Sequence, residues 1–205
     1  NASHRLGAWK DNDSLVGMGI CNCKGPMACW MIAVKAIKDL EIRLPGDILM
    51  SAVVGETGGA PIDEYQGSKY DSHELGARYV ASHGGLADYV LVAEATGFTV
   101  VPAMTGFVYF KVTLHAGPST YTAFLRRPEE SALKSVNAIV RMSEFVERFE
   151  AYADQYSEDH AYSFKGGKMV PNGIIGALRG GMPPWPTVCP ELCSAYVDFR
   201  TPPNK

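Results

Sequence analysis

Apolar and polar positions follow three rhythms along this chain. From Pro26 to Leu40, Met27, Trp30, Met31, Val34 and Ile37 recur every three or four residues, which predicts an amphipathic helix begun by a proline. "GDILMSAVVG" at 46–55 and "ADYVLVAE" at 87–94 are instead almost wholly apolar and β-branched, the pattern of strands buried on both faces of a parallel sheet. The stretch 56–86 between them is rich in glycine and polar groups, with a short helix expected near "ELGARYVASH". So long a connection is usually functional or disordered. Helix, strand, loop and strand predict an α/β layer ending near Gly97.

The second half changes texture. In "FVYFKVTL", Val108, Phe110, Val112 and Leu114 take one face and Tyr109, Lys111 and Thr113 the other, as in an antiparallel strand with one wet side. A long helix is expected from Ser131 to Ala153, with Leu133, Val136, Ile139, Val140, Val146 and Phe149 on its buried stripe. "NGIIGALRGG" and "CSAYVDFR" supply two further strands, so this half predicts a small α+β layer with one open sheet face.

Composition narrows the classes. With 46% hydrophobic and 20% charged residues in 205, the chain is expected to fold. A net charge of -3 and no run of five like charges leave no footprint for a nucleic acid. The longest apolar runs fall short of the ~20 residues that a membrane helix needs. The start "NASHRLGAWKDND" shows no secretory pattern, and five cysteines at 21, 23, 29, 189 and 193 are an odd number. Both features point to reduced thiols and a cytoplasmic setting. Neither Cys21/Cys23 nor Cys189/Cys193 has the CxxC spacing of a zinc half-site.

Candidate chemistry collects where the expected parallel strands end. "CNCKG" at 21–25, "VVGETGG" at 53–59 and "ADYVLVAEATG" at 87–97 would bring Asn22, Glu56 and Glu94 into one crevice, because ligand sites in open α/β sheets lie at the carboxyl ends of strands. "GMGICNCKG" lacks the serine or threonine after its lysine that a phosphate loop requires.

In the same stretches the sequence resembles the metal-dependent deacylases and exopeptidases that include acetylornithine deacetylase, succinyl-diaminopimelate desuccinylase, aminoacylase and the glutamate carboxypeptidases. "LVGMGICNCKGPMA" is similar to the family's aspartate-bearing glycine turn, "VVGETGG" to its paired-glutamate strand end and "ADYVLVAEATG" to its third acidic strand. "FVYFKVTLHAGPSTYT", "NAIVRMSEFVERF" and "IIGALRGGMPPWPTVCPELCSAYVDFRTPP" are similar to the strands and helix of its lid. The resemblance implies a parallel-sheet, zinc-exopeptidase-like catalytic portion over residues 1–99 and an α+β lid and dimerisation domain over 100–205. It further implies a metal-dependent hydrolase cleaving a C–N bond of a small substrate, with a homodimer formed through the lid sheet.

Carried over residue by residue, Glu56 and Glu94 fall on metal-ligand positions, Asn22 on the bridging aspartate and Gly55 on the general base. An amide has one useful oxygen and no charge, so Asn22 can ligate at most one metal. The implied cofactor is therefore one divalent ion, zinc first and manganese or cobalt after it. Tyr121, Asn137 and Arg179 fall on lid positions that face substrate, Tyr121 where many relatives have histidine, and Thr187 stands where they have asparagine. In the loop, Asp63, Glu64, His73 and His83 are possible replacement groups. Trp185 and Arg200 have ordinary structural uses as well.

The family's histidine ligands lie upstream of the turn and near its far carboxyl terminus, and histidines 4, 73, 83, 115 and 160 match neither. The expectation is either the middle portion of a longer enzyme or a relative without the usual site. The second alternative makes the chain a catalytically inactive binding or assembly module on the same fold.

Overall fold

The computed structural model describes residues 7–56, 75–118 and 131–203. They fall into two compact units, the first comprising 7–56 and 75–101, the second 102–118 and 131–203.

The first unit opens with a small hairpin, β1 (Trp9–Asp11) against β2 (Ser14–Val16), turned at Asn12 with φ 51°. A wound turn over Ile20–Lys24 leads into helix α1 (Gly25–Asp39), with Pro26 in its first turn, where a missing N–H is harmless. Met27, Trp30, Val34 and Ile37 are half-buried while Met31 is exposed, so the expected stripe is present and narrow. Helix α2 (Leu75–Ser82) matches the expected short helix. Its Gly76 N–H donates to the Val54 carbonyl at 3.0 Å.

The parallel sheet does not form. Every paired strand among the described residues is antiparallel, and neither 46–55 nor 87–94 is a strand. A buried parallel strand is made by its neighbours, since it needs a bonded partner on each side and cover over both faces. Val54 is 73% exposed and Val90 77%. The apolar runs register an appetite for cover, which sequence pattern alone cannot separate from cover itself. The α/β parallel-sheet class expected for this portion is therefore replaced by a hairpin, two helices and extended irregular segments.

In the second unit, β3 (Gly106–His115), β6 (Gly173–Gly180) and β7 (Leu192–Thr201) form a sheet in the order β3-β7-β6, and β4 (Tyr162–Phe164) pairs with β5 (Gly167–Met169) as a separate hairpin. Phe110 lies opposite Val197 and Lys111 opposite Tyr196, so the alternation read in β3 continues across to β7. A bulge separates Ile175, opposite Val197, from Ala177, opposite Tyr196. Helix α3 (Ala138–Asp159) covers one face. Ala138, Met142, Phe149 and Ala153 are its buried positions, and they pack with Cys193, Ala195 and Val197 in two clusters.

The helix begins seven residues later than its apolar pattern suggests. Asn137 caps it, its side-chain oxygen accepting from the N–H groups of Ile139 (2.9 Å) and Val140 (3.4 Å), while Ala132–Lys134 forms a separate short turn. Arg141 ties this start to the sheet by donating to the carbonyls of Ser135, Lys134 and His115. Among the described residues no helix is long and apolar enough to cross a membrane.

Candidate functional site

The three loop tips singled out above all belong to the first unit. Asn22 lies inside the Ile20–Lys24 turn but at φ −126°, ψ 107°, so the coil opens at this residue, which is exposed. The turn is fixed on either side by the Lys24 N–H to Gly19 (2.9 Å) and by the Lys24 ammonium to the Met18 carbonyl (3.1 Å).

Glu56 follows Gly55, whose φ of 81° is one that side-chain-bearing residues avoid. The preceding Val54 carbonyl is pinned to α2, which sets where this tip ends. Glu94 precedes a tight loop in which the hydroxyls of Thr96 and Thr99 each donate to the other's carbonyl at 2.6 Å.

Two of the tips are in contact. The Asn22 amide N–H donates to Glu56 Oε1 at 3.4 Å. The orientation is forced, because turning the amide would set its oxygen against a carboxylate oxygen with no proton between them. Beside them, the Cys23 thiol is pushed above its ordinary range first by partial burial, then by the negative charges of Glu56 and Glu94. Both carboxylates thus act on one thiol.

Cys23 is the member of this crevice that the sequence reading passed over. The signal was there, since it adjoins Asn22 in the same turn, but neither cysteine spacing nor resemblance marked it. All five cysteines are free. Because the thiolate is the nucleophile, a raised pKa slows alkylation at neutral pH. Glu56→Gln removes one of the opposing charges, and is expected to speed iodoacetamide labelling of Cys23 severalfold relative to Cys29. An unchanged ratio, read by peptide mass spectrometry, would show that the Glu56 charge does not reach the thiol.

The donor set fits a two-zinc centre poorly. Two carboxylates and a neutral amide already bonded to one of them leave no bridging anion, and Gly55 offers no proton acceptor. Among the described residues, no three His, Cys, Asp or Glu side chains gather as a metal ion would require. His83 stacks on Tyr79 with centroids 3.8 Å apart, its Nδ1 2.8 Å from the Tyr79 carbonyl. Asp63, Glu64, His73 and Tyr121 lie outside the described residues.

In the second unit, Asn137 spends its oxygen on the α3 cap and Arg179 stands on β6 opposite Ser194. Arg200 donates to Asp198 at 2.6 Å and lies over the Phe107 ring.

No protein-family model matches the chain. It is 29% identical over 126 residues to the N-formyl-4-amino-5-aminomethyl-2-methylpyrimidine deformylase of Bacillus subtilis (strain 168), a match covering 55% of this chain and 26% of that protein. It is 28% identical over 106 residues to the protein of the same name from Halalkalibacterium halodurans, covering 49% and 22%. The chain thus spans about a quarter of the length of the curated relatives it matches. The likeness is to hydrolases at a distance.

Proposed function

We propose that this chain is a binding or assembly module on a hydrolase-like fold, its acidic crevice kept for recognition rather than turnover. The observation that carries the reading is the Asn22–Glu56 hydrogen bond. An uncharged amide donates to a carboxylate here, where two-metal chemistry would place a second anion between cations. The left-handed backbone at Gly55 supports it, because a glutamate acting as base there would be strained. The carboxylates of Glu56 and Glu94 then suit a hydrogen-bond donor or a cationic group on a small molecule. On this reading residues 1–99 correspond to the catalytic part of the zinc-dependent deacylase family, and 100–205 to its lid. The lid would pair with a second copy through an edge of its sheet, where backbone groups lack a strand partner.

A second reading, a metal-dependent hydrolase cleaving a C–N bond, is favoured by the similarity to the two deformylases. In it Glu56, Glu94 and Asn22 would hold one divalent ion with the help of groups beyond the described residues, and Tyr121 and Arg179 would meet the substrate.

Metal analysis separates the two. The module is expected to retain no stoichiometric zinc, manganese or cobalt after dialysis and to leave the N-formyl pyrimidine of the relatives intact. Asn22→Asp is expected to strengthen zinc binding about tenfold, the worth of one charge-assisted contact. One ion per chain in the unsubstituted protein, lost together with deformylation in Glu94→Ala, would establish the hydrolase instead.

A further inference from the structure

Asn172 is the one asparagine of the chain that a glycine follows. We propose that Asn172–Gly173 is a self-modifying site, where the glycine nitrogen attacks the asparagine side chain and converts it to aspartate and isoaspartate. The inference rests on the start of β6 and is independent of the acidic crevice.

Packing demands the glycine. A Cβ on residue 173 would lie 2.6 Å and 2.9 Å from two ring carbons of Phe199 and 3.0 Å from the ring of Phe149, so any larger residue would push these rings aside. Register then turns the glycine nitrogen toward the asparagine side chain. The Arg200 N–H donates to the Asn172 carbonyl at 2.7 Å, which makes 172 and 200 a hydrogen-bonded pair and the next pair, Gly173 with Phe199, a non-hydrogen-bonded one. The Gly173 N–H therefore points away from β7, on the outer side of a strand that ends the order β3-β7-β6, and it donates to Asn172 Oδ1 at 2.8 Å. Cγ is bonded to that oxygen, so rotation of the side chain brings it onto the nitrogen with the main chain left in place. Asn172 is exposed, which gives solvent base access to the pair from the amide side.

The other asparagines in described elements lack this arrangement. Asn137 commits its oxygen to the N–H groups of Ile139 and Val140, and alanine follows it. Asn22 donates to Glu56 and precedes Cys23. A side chain on the following residue crowds the ring that must close.

The reaction balances with water alone. The Gly173 nitrogen gives its proton to solvent base and bonds to Cγ, and the Cγ–Nδ2 bond breaks as Nδ2 takes a proton from solvent and leaves as ammonia. Water then opens the resulting succinimide. Opening at Cγ gives aspartate, whereas opening at the main-chain carbonyl gives isoaspartate, whose main chain runs through Cβ and Cγ and whose former carbonyl is a carboxylate. Either product carries one more negative charge than asparagine. Isoaspartate also adds a carbon to the main chain between the carbonyl that holds Arg200 and the glycine beneath the two rings, which loosens the β6–β7 junction.

The test holds the full chain in warm, mildly alkaline buffer with and without urea. Peptide mass spectrometry and an isoaspartyl methyltransferase assay follow residues 169–179, in which Asn172 is the one asparagine. The folded chain is expected to convert Asn172 severalfold faster than the unfolded chain, and ahead of Asn12, Asn22 and Asn137. Its isoaspartyl fraction should melt at a lower temperature than the unconverted protein. Asn172→Gln would have to close a larger ring, and should stop conversion in this peptide with unchanged circular dichroism.

An equal or slower rate in the folded chain overturns the proposal. So do earlier conversion at another asparagine and conversion that persists in Asn172→Gln, while equal melting of the two fractions overturns the loosening of the junction. The pair of rates on unsubstituted protein decides the matter even where the substitution unfolds the chain.

Discussion

Met142→Ala is expected to destabilise the second unit by about 2–5 kcal/mol, the range for removing a large apolar side chain from a closed core. Met142 is 1% exposed and packs with Ala138, Cys193 and Ala195, three small residues that cannot swell into the space it leaves. Phe145 and Val146 pack against the same cluster from α3 and are themselves only partly buried. The cavity would therefore stay open, which places the cost toward the upper part of the range. Urea unfolding followed by amide exchange in α3 and β7 measures it. A loss below about 1 kcal/mol would mean that the helix re-seats on the sheet.

Gly76→Val is expected to have the largest effect in the first unit. A Cβ at this position would lie 2.6 Å from the Val54 carbonyl oxygen and 2.7 Å from the Val54 nitrogen, both backbone atoms that cannot rotate aside. Either α2 lifts from the 53–54 segment and gives up the Gly76–Val54 hydrogen bond, or that segment moves and carries Glu56 away from Asn22. The cost is expected at about 1–3 kcal/mol. Where the 53–54 segment is the one that moves, Glu56 is displaced as well and labelling of Cys23 should speed up just as in Glu56→Gln. Gly46→Ala is the control, since a Cβ there meets nothing within 4 Å. If Gly76→Val proves as neutral as Gly46→Ala in thermal melting, the docking of α2 on Val54 is not what positions Glu56.

Elements whose partners lie within the chain were legible from their own residues. β3, β6 and β7 showed alternation or apolar content and found one another, so pattern and pairing agree. The start of α3 was misplaced because apolar spacing runs on through Leu133 and Val136, while the boundary is set by a single polar atom on Asn137. The hairpins β1-β2 and β4-β5 went unseen, since strands of three residues carry too little periodicity to register.

The 46–55 and 87–94 segments failed in the opposite direction, with strong pattern and no pairing. Even so, the positions chosen at their ends bear on one place, because Asn22 and Glu94 sit in or beside local turns and Glu56 follows a segment hydrogen-bonded to α2. None of these contacts requires a sheet behind it.

The irregularity between Ile175 and Ala177 sets where this chain can change length. Ile175 lies opposite Val197 and Ala177 opposite Tyr196, so Gly176 is the residue without an opposite number, and its removal would leave Arg179 opposite Ser194. Removing a residue between Ala177 and Arg179 would instead bring the arginine opposite Ala195, on the helix-covered side. Homologous chains that lose a single residue from this outer strand should lose it at the bulge.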